Sequence, residues 1–536
     1  MTKKQEFLIL AIVILLGVFL RFYQFGTNPA SLYWDEAAIA LDAYSISETG
    51  KDIHGMNCLQ AILASYGDFK APILIWLVSL SVKIFGMSVL AIRLPVTLFS
   101  VLSIYLIYLL VKELLSFNGT LAKRYKLMPI LTALVVAISP WSVHFGRIAF
   151  ESSLSVAFFL IALVFFIKAI KTKGFYFLLS TIFAVLATYT YYSLRAIIPL
   201  FCLALITIFF KEIKTKKLWL IISMLFFVLA MIPILRSPYY EASQNYRLNN
   251  NNLVHATQAI AESSQYLEKY NSSLLARLFY HRYIFMARDF VINMSTHFSP
   301  NFLFFKGDNN LRQHSGYFGE FLMVSLPFYF LGIFLLFKNL KTKLTLFLLF
   351  LMFLAPIPAS LVYEVPHASR AVYLFIPLAI IIAWGMNEIF LLKNKIFASI
   401  LMILFLINAI FYYNDYFNHY AKRSSEAWLY SYNQVALYLK GHYQEFSEIE
   451  ISEHYWFPNI FIYYQFPELL NKRVKTQELA LENPFDLLLD QKNMNKKQAK
   501  FIYYEDEVPT GFNVVKSFNF LNGEPSLILV TKENEL

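Results

Sequence analysis

The acidic pair Asp35-Glu36 sits in Tyr33-Trp34-Asp35-Glu36, soon after an apolar run ends. Adjacent carboxylates near hydrocarbon suit proton abstraction from a hydroxyl or the binding of a cation. The plain alternative is the acidic first turn of an interfacial helix. Lys70, in Asp68-Phe-Lys-Ala-Pro72, stands just ahead of an apolar segment, where a cation can hold a phosphate or simply snorkel to the headgroups. Arg147 and Glu151 are four apart in Ser139-Pro-Trp-Ser-Val-His-Phe-Gly-Arg-Ile-Ala-Phe-Glu151, so on one helix they would share a face and could form a plain ion pair. Arg195 in Tyr189-Thr-Tyr-Tyr-Ser-Leu-Arg195, and His367 with Arg370 in Val365-Pro-His-Ala-Ser-Arg370, lie at further junctions between apolar runs. Each alone could be an anchor. Charge at the end of an apolar helix is costly, however, and favours a functional reading of the set.

The elements that must position these groups are membrane helices. The chain has 536 residues, of which 58% are hydrophobic, 18% aromatic and only 15% charged, with a mean hydropathy of +0.52. A soluble protein keeps charged residues near a quarter of its composition because its surface faces water. The net charge of +11 resides in short Lys/Arg-bearing loops between apolar blocks, the positive-inside pattern, which argues against a nucleic-acid groove. Cys58 and Cys202 supply no disulfide framework, metal spacing or redox motif. Lys3 and Lys4 precede an apolar run from Phe7 to Leu20 that ends at Arg21 without a small-residue cleavage site, so an uncleaved anchor with a cytoplasmic start is expected.

Threading the basic loops to one side predicts an all-α polytopic membrane protein with eleven spans. They fall at about 7–25, 89–111, 128–144, 154–170, 175–192, 196–210, 217–235, 320–337, 343–362, 371–391 and 396–413. The segment 71–86 opens with Pro72, carries Lys83 and is short for a crossing. If it crossed, the basic loop from Lys112 to Lys126 would face the wrong side, so it is expected to be a re-entrant or interfacial helix in the first outer loop. An odd number of spans puts the tail outside. Residues 1–413 are then a transmembrane domain and 414–536 a small extracytoplasmic α/β domain, with an amphipathic helix from Ala427 to Leu439 and alternating runs at Ile449 and Ser526. A long outer region, 236–319, holds Asn249 to Asn252, His281-Arg282, the loop histidines His255 and His314, the sequons at Asn271 and Asn293, and an aromatic run from Phe298 to Asp308. This topology brings Asp35, Glu36, Lys70, Arg147, Glu151, Arg195, His367 and Arg370 to one membrane face, an arrangement suited to a substrate that is part lipid and part phosphate.

The ordered set WDEAAIALDAYSI (34–46), GDFKAP (67–72), RLP (93–95), SPWSVHFGRIAFE (139–151), TYYSLRAIIPL (190–200), FSPNFLFFKGDNNLRQHS (298–315), PIPAS (356–360) and PHASRA (366–371) resembles the polyprenyl-phosphate-sugar-dependent glycosyltransferases of the GT-C superfamily. The likeness is to family 39, the branch that includes dolichyl-phosphate-mannose protein mannosyltransferases and the lipid A aminoarabinose transferase, and it runs over about residues 7–390. It implies inverting transfer of a mannose-like sugar, or a modified pentose or hexose, from a polyprenyl-phosphate donor to a protein or an envelope glycan or lipid at the outer face of the plasma membrane. It also implies roles: Asp35 as the base of the acidic pair, Lys70 on the donor phosphate, and Glu151 positioning substrate or a cation. The family's Lys-Pro-Pro is here Lys70-Ala71-Pro72. Some relatives carry a divalent metal; this sequence has no His/Cys/Asp cluster with ligand spacing, and metal dependence stays open. The leaving lipid phosphate goes from about one negative charge to two, so cations aimed at it favour the transition state; Lys70, Arg195 and Arg370 suit that task, with His367 orienting or donating. The competing class is a transporter or lipid flippase, which would show two repeated halves and ionisable residues near mid-span.

Overall fold

Length decides which apolar runs cross. A hydrocarbon core of about 30 Å needs about 20 helical residues at 1.5 Å each. In the computed structural model, which describes residues 2–249, 257–362, 364–392, 394–470 and 496–532, seven helices meet that requirement: Lys3–Phe22, Val89–Leu115, Glu151–Lys171, Phe210–Leu235, Lys343–Ser360, Val372–Leu391 and Lys395–Arg423. Four other expected spans are shorter apolar helices, Met128–Ile138, Tyr176–Thr188, Leu194–Ile208 and Met323–Lys338. The chain is a polytopic, mainly helical membrane protein. Of the residues singled out in the sequence, Asn250 to Asn252 and His255 lie outside the described residues, as does Lys393 in the basic loop expected after 371–391.

Local chemistry explains the shortened elements. The run expected at 128–144 is broken at Ser139-Pro140: proline offers no N–H to continue the first helix, and Pro140 starts a new one, Pro140–Phe145, capped by the Ser139 hydroxyl on Ser142 N. Pro72–Phe85 likewise begins at a proline, and its 14 residues reach only about 21 Å, a length in the range of the other short apolar helices.

The chain divides into two compact units. The first comprises Met1–Phe22, Leu98–Gly146 and Glu151–Tyr413. In it a fully buried Arg21 ends the first helix by donating to Ser100 Oγ at 2.7 Å, Ser142 Oγ at 2.7 Å and the carbonyls of Ala137 at 3.0 Å and Val136 at 3.2 Å. One guanidinium thus ties three segments together and leaves the charge hydrogen-bonded, the condition for burying it. Helices Leu326–Lys338 and Phe375–Leu391 meet glycine to backbone: a Cβ on Gly332 would fall 2.0 Å from Ile381 O, and one on Gly385 1.9 Å from Phe328 O. Small residues permit such contact where no water drives helix association.

The second unit comprises Tyr23–Thr97, Arg147–Phe150 and Asn414–Leu536. Its helix Trp34–Thr49 is buried along Ala37 to Ala43 and stops at Gly50, which is left-handed with φ 71°. Two short antiparallel strands follow, β1 (Leu63–Ala64) and β2 (Phe69–Lys70), with Leu63 opposite Lys70. In the tail, β3 (Phe446–Ile451), β4 (Lys497–Tyr503), β5 (Asn513–Asn519) and β6 (Pro525–Lys532) form a sheet in the order β3-β4-β6-β5, with β3 parallel to β4 and the other pairs antiparallel. The helix expected from Ala427 begins at Tyr430, because Leu429 takes a left-handed φ of 53° and Trp428 is buried ahead of it. The tail clusters with residues 23–97 and 147–150 in a single unit.

The glycine contact makes a stability prediction. Gly385→Ala forces a methyl into the Phe328 carbonyl and should lower the melting temperature of the purified protein by several degrees. Gly441→Ala, where nothing lies within 4 Å of the added carbon, should leave it unchanged or raise it slightly. Differential scanning fluorimetry in detergent distinguishes the two.

Candidate active site

The acidic pair occupies the first turn of helix Trp34–Thr49, where carboxylates complement the helix dipole. Successive helical residues point about 100° apart, and the two acids consequently have different surroundings. Glu36 is sealed, at 0% exposure, against an equally sealed Arg93. Arg93 Nε donates to Oε1 at 2.9 Å and Nη2 to Oε2 at 2.8 Å. Ala149 N also donates to Oε1, at 2.8 Å, and Tyr33 N to Oε2, at 3.3 Å. A carboxylate has about four lone-pair positions, and all are taken. Glu36, expected to share the chemistry with Asp35, instead holds Arg93 and the 147–150 segment in place.

Asp35 faces the other way. Its side chain is 30% exposed and pairs with Lys70, whose own side chain is 7% exposed. Lys70 also donates to Asp68 Oδ2 at 3.0 Å and lies 5.8 Å from the Trp34 ring centroid. Its main chain is fixed in β2, so the expected base and the expected phosphate-binding cation are in contact. Arg147 differs from expectation. Helix Glu151–Lys171 starts only at Glu151, so the two residues share no helical face. The buried Arg147 guanidinium donates to the carbonyls of Asn28 at 2.8 Å and Gln24 at 3.1 Å and lies 5.3 Å from the Phe417 ring centroid. It braces the turn after the first helix and is not presented to solvent.

Within the first unit, Glu151 opens its helix, and the next residue, Ser152, exchanges a 2.7 Å hydrogen bond with Ser369 Oγ. Ser155 Oγ and Tyr373 OH also share a hydrogen bond. These hydroxyls fasten the start of that helix to the loop carrying His367 and Arg370. Arg195 interacts electrostatically with Glu151 and stacks on Tyr192 with Cζ 3.8 Å from the ring centroid, while Arg247 occupies a similar position at 3.6 Å. The Nη1 and Nη2 groups of Arg195 are buried with no hydrogen-bond partner among the described residues, donors that an anionic oxygen would satisfy. Burial, reinforced by Arg370, His297 and Arg312, holds His367 well below the usual histidine range. It is therefore a neutral imidazole at neutral pH, suited to orienting a substrate and not to serving as a resident cation.

Sequence reasoning missed the partners of the site. Arg93 was visible in the Arg-Leu-Pro motif. An arginine four residues into an apolar helix must be neutralised somewhere; that was the available signal, but it does not single out Glu36. Arg247, His297, Asp308 and Glu320 lie in the long 236–319 region or just after it, where nothing in the spacing separates a structural polar group from a solvated one. Among the described residues no group of three or more His, Cys, Asp or Glu side chains could hold a metal. The acidic pair also fits one poorly, since Lys70 and Arg93 already neutralise its two carboxylates.

Comparison with known proteins agrees with this architecture. Residues 69–235 match the profile of the dolichyl-phosphate-mannose-protein mannosyltransferase family. The structure resembles that of ArnT from Cupriavidus metallidurans in the apo state, at 10% identity over 99% of this chain and 98% of that one, with a TM-score of 0.55. The likeness to the same protein bound to undecaprenyl phosphate has a TM-score of 0.51, at 10% identity and the same coverage. The Archaeoglobus fulgidus oligosaccharyltransferase in complex with Zn and sulfate matches at 14% identity over 85% of this chain, with a TM-score of 0.50; this chain spans only 61% of that protein's length. No curated protein sequence matches. The chain thus has the GT-C fold of membrane glycosyltransferases, with a small sheet-bearing region at its C-terminus. Over residues 69–235 the sequence resembles the dolichyl-phosphate-mannose-protein mannosyltransferase family.

A buried ion pair deprived of one partner loses about 3 to 5 kcal/mol because the other charge is stranded. Arg93→Leu should therefore abolish a cooperative thermal transition or lower it sharply, whereas Asp35→Asn, at the exposed member of the acidic pair, should leave it within a degree or two. Thermal melts of the two variants check this.

Proposed function

We propose that this protein transfers a sugar from a polyprenyl-phosphate donor to a hydroxyl-bearing acceptor at the extracytoplasmic face of the membrane, with inversion at the anomeric carbon. The observation that carries the reading is the contact between a partly exposed Asp35 and a nearly buried Lys70, backed by the wholly buried Glu36–Arg93 pair. In the resting protein Lys70 neutralises Asp35. A donor phosphate competes for the ammonium, and Asp35 is then free to take the proton of an acceptor hydroxyl. The acceptor oxygen bonds to the anomeric carbon as the bond from that carbon to the phosphate oxygen breaks on the opposite face. The second negative charge appears on the lipid phosphate, which Lys70 stabilises more strongly than it stabilises the intact donor.

The same reading gives Arg195 and Arg370 the task of compensating phosphate charge, Glu151 and His367 the orientation of substrate, and Glu36 and Arg147 the support of the residues that make contact. A lipid donor is also supported by a cavity of about 370 Å³ lined by apolar side chains including Phe159, Phe166, Phe177, Phe201 and Phe227, of a chemistry that accepts an isoprenoid chain. The undecaprenyl phosphate in the structurally similar ArnT points to the same donor class. The basic short loops favour a cytoplasmic N-terminus, placing the tail from Asn414 outside, and the family resemblance implies the plasma membrane. The sugar is mannose-like or a modified pentose or hexose, and the acceptor a protein or an envelope glycan or lipid.

General-base contributions are typically 10²- to 10⁴-fold. Asp35→Asn should accordingly lower transfer from polyprenyl-phosphate sugars to crude envelope acceptors by at least about 100-fold, with the melting temperature retained. Transfer at the parental rate by a folded Asp35→Asn protein would remove Asp35 from the chemistry.

A further inference from the structure

Three consecutive main-chain amides in the Pro366-His-Ala-Ser-Arg370 loop each end on a different side chain from the 297–313 segment. His367 N donates to His297 Nε2 at 3.2 Å, Ala368 N to Asp308 Oδ2 at 2.6 Å and Ser369 N to Gln313 Oε1 at 2.9 Å. All three acceptors are buried. A fourth amide, Arg370 N, closes on His367 Nδ1 at 3.4 Å. A loop would ordinarily satisfy such amides with water; here they are satisfied one by one from a distant part of the sequence.

The supporting groups are themselves arranged for acceptance. His297 Nδ1 lies 2.9 Å from Asn293 O, which fixes the proton there and leaves Nε2 as the acceptor. Burial pushes His297 down to about 4, so that acceptor survives through neutral pH. Asp308 spends its other oxygen on Asn310 N at 2.8 Å, and its own amide donates to Glu320 Oε1 at 3.3 Å. Glu320 is buried and held far above the usual carboxylate range, so it stays protonated beside Asp308.

We propose that His297, Asp308 and Gln313 are positioning residues that set the main chain of residues 367–369 and, through it, the direction of the Arg370 side chain toward the donor phosphate. The clamp is a geometric claim about the loop; its consequence for Arg370 rests on the transferase reading above. Four rigid amides leave the loop little freedom, and Ser369 fastens it at the same time to Ser152 beside Glu151. Removing one acceptor leaves an amide stranded and allows the loop to turn, and a misplacement of about 1 Å in a group that stabilises a transition state can cost about 100-fold.

The clamp also predicts a titration. Burial, with help from Glu364, raises Asp308 to about 6 against the lowering effect of Arg312 and the two amides. Glu320, His297 and His367 stay neutral near that pH by the shifts already given, so Asp308 is the group that changes charge. Below about pH 6 it loses its charge-assisted hold on Ala368 N.

Two measurements on the full-length protein in detergent test this. Hydrogen exchange needs no activity: Asp308→Ala, or the milder Gln313→Ala if that variant folds poorly, should speed exchange in the peptide covering 365–371 by about tenfold for one lost hydrogen bond, while Asp308→Asn, which keeps an acceptor oxygen, should speed it less. Unchanged exchange in both alanine variants overturns the clamp. Steady-state transfer then tests the consequence. Asp308→Ala should lower kcat on the order of 10-fold to 100-fold with little change in the donor KM, should add nothing in an Arg370→Ala background, and Asp308→Asn should lose the acidic limb of the pH profile near 6. A full additional loss in the Arg370→Ala background overturns the positioning role. An inactive wild type whose exchange responds as stated overturns the transferase reading and leaves the clamp standing.

Discussion

Two charges that cannot reach water, Glu36 and Arg93, stand behind the second unit. Neither tolerates burial alone, so each holds the other, and their surplus hydrogen-bonding capacity organises the main chain around them. Glu36 gathers the amides of Tyr33 and Ala149, and Arg93 gathers the carbonyls of Ser31 and Pro29. Three separate stretches of chain converge on one ion pair. The consequence for function is indirect but strict. With Glu36 facing inward, helical geometry turns its neighbour Asp35 to the partly exposed side, where Lys70 meets it.

The same solution recurs. Arg21 and Arg147 are as fully buried as Arg93, and both are satisfied largely by main-chain carbonyls at the ends of apolar helices. A carbonyl left over at a helix terminus or in a turn has no water to turn to inside a membrane protein, and the forked guanidinium can serve several at once. The PHASR loop shows the complementary arrangement, with orphan amides met by buried acceptors. In both cases polar backbone is pinned where hydrogen-bonding alternatives are few, and the side chains that remain exposed, Asp35 among them, are the ones left to act on something else.

Much of this was legible in the sequence, for physical reasons. Apolar runs long enough to cross gave helices, and the run opening at Pro72 gave a short apolar helix. The sequence grouped Asp35 and Lys70 with six other residues at one membrane face, but their direct contact was not legible in it. Pairing specificity was less accessible. Glu36 and Asp35 are indistinguishable as letters, and only the helical turn shows that one is spent and the other is not. Arg147 and Glu151 have the spacing of a helical pair, but the helix begins after the arginine, a boundary that pattern cannot fix. Arg247 and Asp308 act through contacts across a long polar region, and no local periodicity marks such residues. The span at 128–144 was misjudged at Pro140, where hydrophobicity continues although hydrogen bonding does not.

The central claim is that Asp35 and a donor phosphate compete for Lys70. Equilibrium binding of a polyprenyl phosphate without its sugar to the purified protein tests it without any acceptor or turnover. A charged hydrogen bond is worth about 1.5 to 3 kcal/mol, so Lys70→Met should weaken binding by about 10- to 100-fold, and Asp35→Asn, by removing the competing carboxylate, should leave binding equal or tighter. Undiminished affinity in Lys70→Met, or a loss in Asp35→Asn as large as that expected for Lys70→Met, would contradict the account.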